Sequence, residues 1–354
     1  MNFDAAIIGA GPAGAVTAYE LARRGHPVFL VDKAKFPRPK VCGCCLNRSA
    51  VQTLHRLGLG AVLASAVPLT AVCLAAARHQ ATISLSGGVA LSRERLDAAL
   101  VEAAVRAGAI FQEGEARQVA DCQTIARVVV VASGLLGNAA TPCVDSRIGA
   151  GVVVAADMVP AFFRRGIIYM ATAGGGYVGL VRLEDDRLDV AAAFDAPFVR
   201  QMGGLGLAAE AILAETRWPA IPQLARLPWK GTPALTRRAT RRAGPRWFAV
   251  GDAAGYVEPF TGEGIAWAIR SATALAPLVT KAAERWSDSL VRQWEVTHRR
   301  RIQSRQRVCR IVTRALRWPL LTAWAVRTLA ICPALARPLV ASLNRCPQLR
   351  GAEQ

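Results

Sequence analysis

The sequence predicts an α/β fold with α+β character: a doubly wound domain, an interleaved antiparallel sheet and a helical C-terminal arm. Three observations predict it. A strand–turn–helix–strand pattern fills the first 32 residues, an apolar strand runs into a glycine-rich turn and a helix near residue 250, and hairpin patterns lie between the two. At 354 residues the chain is long enough to bury a sizeable core.

The N-terminal pattern is that of a buried βαβ unit. Residues 3–8 are apolar, as in a parallel strand covered on both faces, and residues 13–24 have the pattern of a helix that ends at Gly25. Residues 27–31 then form a second apolar strand, which is closed by Asp32. The unit therefore predicts two neighbouring parallel strands joined by a helix.

The turn between the first strand and the helix has the sequence GAGPAG, a G-x-G-x-x-G motif with a strand before it and a helix after it. Its glycines permit a tight turn, a close backbone approach to a pyrophosphate and close packing of helix on strand. The helix N-terminus supplies amide donors to phosphates, and a carboxylate after the second strand can accept ribose hydroxyls. The predicted dinucleotide contacts here are Gly9, Gly11, Pro12, Ala13, Gly14, Asp32 and Lys33.

A second G-x-G-x-x-G match covers residues 174–179, but it leads into a strand rather than a helix. We interpret it as a flexible start to that strand. The chain thus has no separate nicotinamide domain, and NAD(P)H is predicted to act as a transient reductant.

The remaining patterns define three discontinuous parts. Residues 96–107, opened by Ser92, form a helix, and residues 167–183 and 188–194 form paired strands. From residue 286 onward the pattern is helical and basic. The predicted parts are a dinucleotide-binding domain over 1–68, 90–150 and 245–283, a substrate domain over 69–89 and 151–244, and a C-terminal arm over 284–354.

The segment after the strand at residues 247–250 also predicts cofactor contacts. It begins with Gly251 and Asp252 and continues as EPFTGEGI over residues 258–265. Asp252 is placed to hold a ribityl hydroxyl, and the amides near Gly264 to face the pyrimidine edge of a flavin. The predicted contacts in this segment are Gly251, Asp252, Pro259, Gly262, Gly264 and Ile265.

Together, these two motifs resemble the superfamily of p-hydroxybenzoate hydroxylase-like monooxygenases and geranylgeranyl reductase-like flavoproteins. The resemblance covers roughly residues 3–280 and implies that the cofactor is FAD. It places the GD segment at the ribityl phosphate and the P-x-x-G-x-G turn along the isoalloxazine ring. It also implies that Arg93, in SRERLD, lies near the flavin, and that Ala132 and Gly134 follow a strand at the site.

Residues 36–43, FPRPKVCG, resemble the K-x-C-G loop of the geranylgeranyl reductase-like members, which passes close to the flavin. The resemblance adds Arg38, Lys40, Cys42 and Gly43 to the predicted cofactor contacts. Cys42 is the candidate catalytic thiol, because adjacent positive charge favours a thiolate. It would donate a proton in its thiol form or tether the flavin covalently. Cys44 is the second candidate, and the alternative for both is simple packing.

Departures from the family bear on the reaction. Ser133 stands where hydroxylases carry Asp, and residues 177–182, YVGLVR, replace the aromatic-rich strand common in geranylgeranyl reductases. The W-x-W-x-I-P segment of flavin-dependent halogenases is absent from the sequence. The prediction is NAD(P)H-dependent reduction of a C=C bond in a hydrophobic, lipid- or polyketide-like small molecule. The alternatives are a monooxygenase and a non-catalytic flavoprotein at a membrane surface.

Composition bounds the location and the partners. With 53% hydrophobic residues the chain is not intrinsically disordered, and its start lacks the basic region of a signal peptide, so we place it in the cytoplasm. The net charge of +19 comes almost wholly from Arg, which a GC-rich genome would also produce. No nucleic-acid-binding motif is present, so nucleic acid is not a predicted partner. The nine cysteines predict neither a disulfide framework nor a metal site.

The C-terminal arm combines basic, aromatic and apolar residues. Residues 298–301 read HRRR, and residues 318–336 are apolar apart from Arg327. This pattern predicts an interfacial helix on an anionic membrane surface. The alternative is a helical cap on the core with an arginine-bearing outer face.

Overall fold

The computed structural model describes residues 2–114, 118–137, 140–258, 260 and 262–344, without the side chains of Leu136 and Leu343. Its strands are β1 (Phe3–Ile8), β2 (Val28–Asp32), β3 (Cys45–Leu46), β4 (Val67–Ala76), β5 (His79–Ala90), β6 (Ile110–Glu113), β7 (Ala126–Val131), β8 (Ala140–Pro142), β9 (Ile148–Val154), β10 (Ile167–Ala173), β11 (Gly176–Arg182), β12 (Leu188–Phe194), β13 (Lys230–Ala234), β14 (Arg237–Ala239), β15 (Ala243–Gly244) and β16 (Trp247–Ala249). Its helices are α1 (Pro12–Ala22), α2 (Arg48–Arg56), α3 (Arg93–Arg106), α4 (Val119–Ile125), α5 (Ala196–Met202), α6 (Leu205–Ala214), α7 (Gly264–Glu284), α8 (Ser289–His298), α9 (Ser304–Ala315), α10 (Pro319–Ile331) and α11 (Arg337–Asn344).

The first sheet has the order β15-β16-β7-β1-β2-β6 and is parallel except for the β15–β16 pair. Successive residues of β1 face opposite layers. Ile7 packs in the core formed with α1, α3 and α7, whereas Ile8 packs with Cys122 of α4 on the other side. Because both faces are covered, the strands are apolar throughout. The predicted doubly wound domain is confirmed.

The second sheet has the order β13-β9-β12-β11-β10-β4-β5-β3 and is antiparallel apart from one join. At that join β10 runs parallel to β4, with Ile167 opposite Ala71. One face of the sheet packs against α6 through residues such as Ala208 and Ile212. The predicted interleaved antiparallel sheet is therefore confirmed as part of the fold. The second G-x-G-x-x-G match, residues 174–179, lies at the β10–β11 turn and leads into β11, as predicted.

The C-terminal arm is helical and packs on both parts of the molecule. Trp294 of α8 is fully buried and donates a hydrogen bond to the Ala249 carbonyl at 3.1 Å. A π-helical turn, Arg299–Gln303, connects α8 to α9, and α10 then lies against β4 and β5. Within the residues that the structure covers, no single helix is long and apolar enough to cross a membrane, but one bent helix pair passes that test together.

Candidate functional site

In the glycine turn after β1, Gly11 has free space beside its Cα atom, whereas Gly9 and Gly14 do not. Gly9 has a φ of +105°, and a side chain on it would collide with the Ala132 carbonyl, while a side chain on Gly14 would collide with the Gly9 carbonyl. Gly11 differs, because the nearest atom to a Cβ built there is Nη2 of Arg93 at 3.9 Å. The space over Gly11 is part of a cavity of about 1340 Å³, so a pyrophosphate can approach this backbone.

Asp32 ties the same turn to the end of β2. Its Oδ2 accepts a hydrogen bond from the Ala10 amide at 2.8 Å, and its Oδ1 accepts one from the Ala34 amide at 3.0 Å. The guanidinium of Arg38 lies 3.4 Å from Oδ2. The carboxylate is thus fixed beside Gly11 at the edge of the cavity, where ribose hydroxyls can reach its remaining lone pairs. Lys33 follows and also lines the cavity.

We expect Asp32→Ala to weaken FAD binding by about 1.5–3 kcal/mol, the range for hydrogen bonds to a charged group. The change removes both the carboxylate and the bond that holds the Ala10 amide. Titration of the apoprotein with FAD, followed by flavin fluorescence, measures the loss. Asp4→Ala is the matched control, since Asp4 lies at the far end of β1 and pairs with His26. Equal affinities for the two variants would contradict the role of Asp32.

The GD segment meets the glycine turn across the sheet. Gly251 has a φ of +63°, and a Cβ built on it would lie 2.7 Å from the Cβ of Ala13. Asp252 follows and lines the cavity, where burial raises the pKa of its carboxyl. Gly262, Gly264 and Ile265 line the same cavity at the start of α7. Pro259, predicted as a further contact, lies outside the described residues.

A buried ion pair between Arg93 and Asp97 lies beside the K-x-C-G loop. Arg93, at the start of α3, donates from Nε and Nη2 to the two oxygens of Asp97 at 2.8 and 2.7 Å. Asp97 is fully buried, and Arg38 lies 4.0 Å from it. Ser92 caps α3 by accepting the Arg95 amide, which fixes where this helix begins.

Lys40 of the K-x-C-G loop reaches the end of β7. Its Nζ lies 3.3 Å from a Cβ built on Gly134, and Ala132 and Gly134 line the cavity beside it. Burial and the nearby charge of Arg93 lower the pKa of Lys40. Gly43 lies on the same loop, is exposed and has no atom within 4 Å of a Cβ built there.

Cys42 is half-buried on the cavity wall and is strongly acidified. The hydrogen bond from the Cys44 side chain and the positive charge of Arg93 outweigh burial and lower the pKa of Cys42 to about 5. Cys44 is buried in a left-handed backbone conformation with a φ of +51°, and its Sγ lies 3.7 Å from the Cys42 carbonyl. The interaction with Cys42 and burial raise the pKa of Cys44. The interaction between the two side chains therefore favours the thiolate at Cys42 and the thiol at Cys44.

This difference predicts a distinct alkylation profile. With a pKa of about 5, Cys42 should react with iodoacetamide at a rate that is already near its plateau at neutral pH, whereas an ordinary thiol, with a pKa of about 8.5, gains reactivity only above that range. Mass spectrometry of peptides labelled across a pH series gives the rate at each cysteine. Cys44→Ala should move the profile of Cys42 to higher pH. A wild-type midpoint like that of a free thiol would refute the acidification.

Asp189 lies next to the pair of cysteines, Cys42 and Cys44, and is not among the residues predicted from the sequence. It lies in β12, is 6% exposed, and its Oδ2 has no hydrogen-bond partner among the described residues. Its side chain interacts with Cys44, and burial raises the pKa of the carboxyl well above its usual range. A lone acidic residue in the apolar strand LDVAAAF was the available signal. Cys45 has the C-x-x-C spacing to Cys42, but the described residues hold no group of three or more potential metal ligands.

All these motifs open into one cavity of about 1340 Å³. It extends from the glycine turn past Cys42 and along the second sheet to the C-terminal arm. Its far part is lined by apolar side chains, which include Leu74, Met170, Leu180, Leu321, Trp324 and Leu335. The open backbone at Gly11, the fixed carboxylate of Asp32 and the buried Arg93 fit FAD at one end, and the apolar part leaves room for a hydrophobic molecule at the other.

Comparison with known proteins agrees with this geometry. Residues 2–157 match the family described as FAD binding domain. A menaquinone reductase of Mycolicibacterium smegmatis is 26% identical over 78% of this chain and 76% of its own length. A menaquinone reductase of Mycobacterium tuberculosis (strain ATCC 25618 / H37Rv) is 51% identical, but that match spans only 17% of this chain and 15% of the relative.

Solved structures share the fold over nearly the whole chain. The flavin-dependent brominase Bmp2 has a TM-score of 0.76 at 16% identity, with 97% of this chain and 94% of that one covered. A flavoprotein/dehydrogenase from Cytophaga hutchinsonii has a TM-score of 0.77 at 16% identity over 97% and 92%. PqsL of Pseudomonas aeruginosa, a probable FAD-dependent monooxygenase, has a TM-score of 0.64 at 19% identity over 92% and 99%.

The fold, the FAD-binding domain and the cavity define the class: the chain is an FAD-dependent oxidoreductase. The match to the FAD-binding domain confirms the resemblance of its motifs to an FAD-dependent, hydroxylase-like superfamily, and the solved structures share the fold. FAD is the cofactor that the matched domain specifies.

Proposed function

We propose that this enzyme reduces a C=C bond in a hydrophobic, lipid-like small molecule, with NAD(P)H as the transient reductant. The observation that carries the proposal is the position of Cys42, a thiol in the wall of a long apolar cavity beside the FAD site. The similarity to a menaquinone reductase over about three quarters of both chains supports an isoprenoid quinone as the first substrate to test.

FAD held by the glycine turn and Asp32 would supply the hydride chemistry that reduces the double bond. The protein must then supply a proton to one carbon of that bond. Cys42 lies where it can protonate a molecule in the cavity, but Cys44 and Arg93 favour its thiolate form, so the proton has to come from a neighbouring group. The S–H group of Cys44 can supply that proton, and Asp189, whose pKa is raised by burial, interacts with the Cys44 side chain.

The proton therefore moves along three side chains. As negative charge develops on the substrate carbon, the S–H bond of Cys44 breaks and Cys42 is protonated, and Cys42 passes the proton to the carbon to form the new C–H bond. Asp189 then reprotonates Cys44 and is left as a carboxylate, which water reprotonates. Each transfer runs between neighbouring groups, and the resting state is restored.

Anaerobic turnover tests the proposal. The purified holoprotein is incubated with NADPH or NADH and a menaquinone that carries an unsaturated isoprenoid chain, and the product is analysed by mass spectrometry. Because reduction of the quinone to the quinol also adds two hydrogen atoms, the extract is first reoxidised to the quinone. The expected product then still carries two extra hydrogen atoms per reduced C=C bond, gained without oxygen. Insertion of one oxygen atom that requires air would overturn the reductase and support the monooxygenase alternative.

A further inference from the structure

The outer side of α10 and of the 3-10 turn that follows it, Pro333–Ala336, is an exposed apolar surface. Trp318, Leu320, Trp324 and Ile331 are exposed by 68%, 88%, 67% and 79%, whereas Val326 on the inner side packs against the second sheet. A helix on a water-facing surface normally turns polar side chains outward. A concentration of large exposed apolar side chains within one short segment marks a surface that contacts something other than water. We call it the arm surface, defined by Trp318, Leu320, Leu321, Trp324, Ile331 and Leu335.

Charge around the arm surface has one sign. Residues 299–344 contain ten arginines and no Asp, Glu or Lys. Basic groups beside exposed tryptophan and leucine match the head groups and the acyl region of an anionic bilayer. A second copy of this chain is a poorer occupant, because two surfaces of this charge would repel each other.

The shape of the segment suits one leaflet. Pro319–Ile331 and Pro333–Ser342 together pass the length and hydropathy test for a membrane span, but the pair is bent by 118°. A straight helix of about 20 residues is needed to cross the hydrocarbon core. A pair bent this sharply instead presents one apolar side to an interface.

The cavity opens at the same surface. Leu321, Trp324, Leu335 and Leu339 line the cavity and are each exposed to solvent by 40% or more. An apolar path thus runs from the arm surface along the second sheet to Cys42. A hydrophobic molecule that enters here need not pass through water.

We propose that the arm surface docks on an anionic lipid bilayer and that the cavity takes its hydrophobic substrate directly from that bilayer. The docking step stands on the exposed side chains and the charge alone. The uptake step rests on the proposed function.

Vesicle flotation of the full-length holoprotein tests docking. Vesicles of phosphatidylcholine alone are compared with vesicles that also contain phosphatidylglycerol. We expect the protein to float with the anionic vesicles, and 0.5 M salt, which shortens the Debye length to roughly 4 Å, to weaken binding. The Leu320→Glu/Ile331→Glu variant should bind at least tenfold less, because both side chains are exposed and neither lines the cavity.

Val144→Glu is the matched control, since Val144 is 91% exposed and lies in the loop after β8. It should bind like wild type. Docking is overturned if wild type does not float, if the double variant floats equally well, or if light scattering shows that the double variant only converts a dimer to a monomer.

Uptake is tested separately with the same variants. The Leu320→Glu/Ile331→Glu protein should keep the wild-type rate of C=C reduction on a water-soluble quinone with a short unsaturated side chain, and lose activity on a long-chain quinone embedded in vesicles. Equal loss on both substrates would overturn uptake from the bilayer. Flotation without reduction of any quinone would contradict the proposed function and leave docking established.

Discussion

The Gly11→Val protein should fold normally and purify without FAD. The nearest atom to a Cβ built on Gly11 is 3.9 Å away, so the folded protein itself has room for the first atom of the side chain. The added isopropyl group instead occupies the space that a pyrophosphate needs over the turn. We expect flavin content to fall to background and affinity to fall at least 100-fold. Absorbance at the flavin bands, with circular dichroism as the check on folding, measures both.

Two other glycines serve as comparisons. Gly174 begins the second G-x-G-x-x-G match, is exposed, and has no atom within 4 Å of a built Cβ. The Gly174→Val protein should therefore keep its full flavin absorbance. Gly14→Val should lose stability as well as flavin, because its side chain would collide with the Gly9 carbonyl. A folded Gly11→Val protein with a full flavin spectrum would refute the assignment of this turn.

Replacement of Cys42 should have the largest effect on turnover. Cys42→Ser removes the group that passes the proton to the substrate, and a serine hydroxyl is far too weak an acid to take its place. We expect turnover to fall by about 10²–10⁴-fold, the usual contribution of general acid–base catalysis, while reduction of the flavin by NAD(P)H stays intact. Stopped-flow absorbance separates the two half-reactions. Cys143→Ser, at a cysteine outside the cavity wall, should keep full activity.

The same variant separates a proton donor from a covalent tether. Acid precipitation leaves tethered flavin in the pellet and releases bound flavin into the supernatant. If wild-type flavin pellets and Cys42→Ser flavin does not, the thiolate is bonded to the cofactor. Wild-type turnover by Cys42→Ser, with flavin bound normally, would show that Cys42 only packs.

Sequence patterns predicted those parts of the site that are local. The glycine turn, Asp32 and the start of α3 at Ser92 each depend on residues within a few positions of one another, or on a βαβ unit that closes early. Asp252 was also predictable, because a strand that ends in Gly-Asp before a glycine-rich helix start has few other uses. Turn chemistry and capping act over short range, and so a single sequence carries them.

Contacts between distant segments could not be predicted in the same way. Asp189 meets Cys44 only because β12 and the K-x-C-G loop are brought together by the second sheet, whose β4–β10 join runs parallel where hairpin patterns predict antiparallel pairing. The lowered pKa of Cys42 likewise depends on the side chain of Cys44 and on the buried side chain of Arg93, which is far from Cys42 in the sequence. The sequence shows only the positive charges adjacent to Cys42.

The chain order of the first sheet has a consequence for synthesis. β1 and β2 emerge from the ribosome early, but β16 and α7, which complete that sheet and cover it, follow only after the whole of β9–β13. The core against β1 therefore stays incomplete, without α7 and β16, while most of the polypeptide is made, and non-local pairing of this kind is slow. Nascent chains of this enzyme should depend on chaperones until α7 has left the exit tunnel.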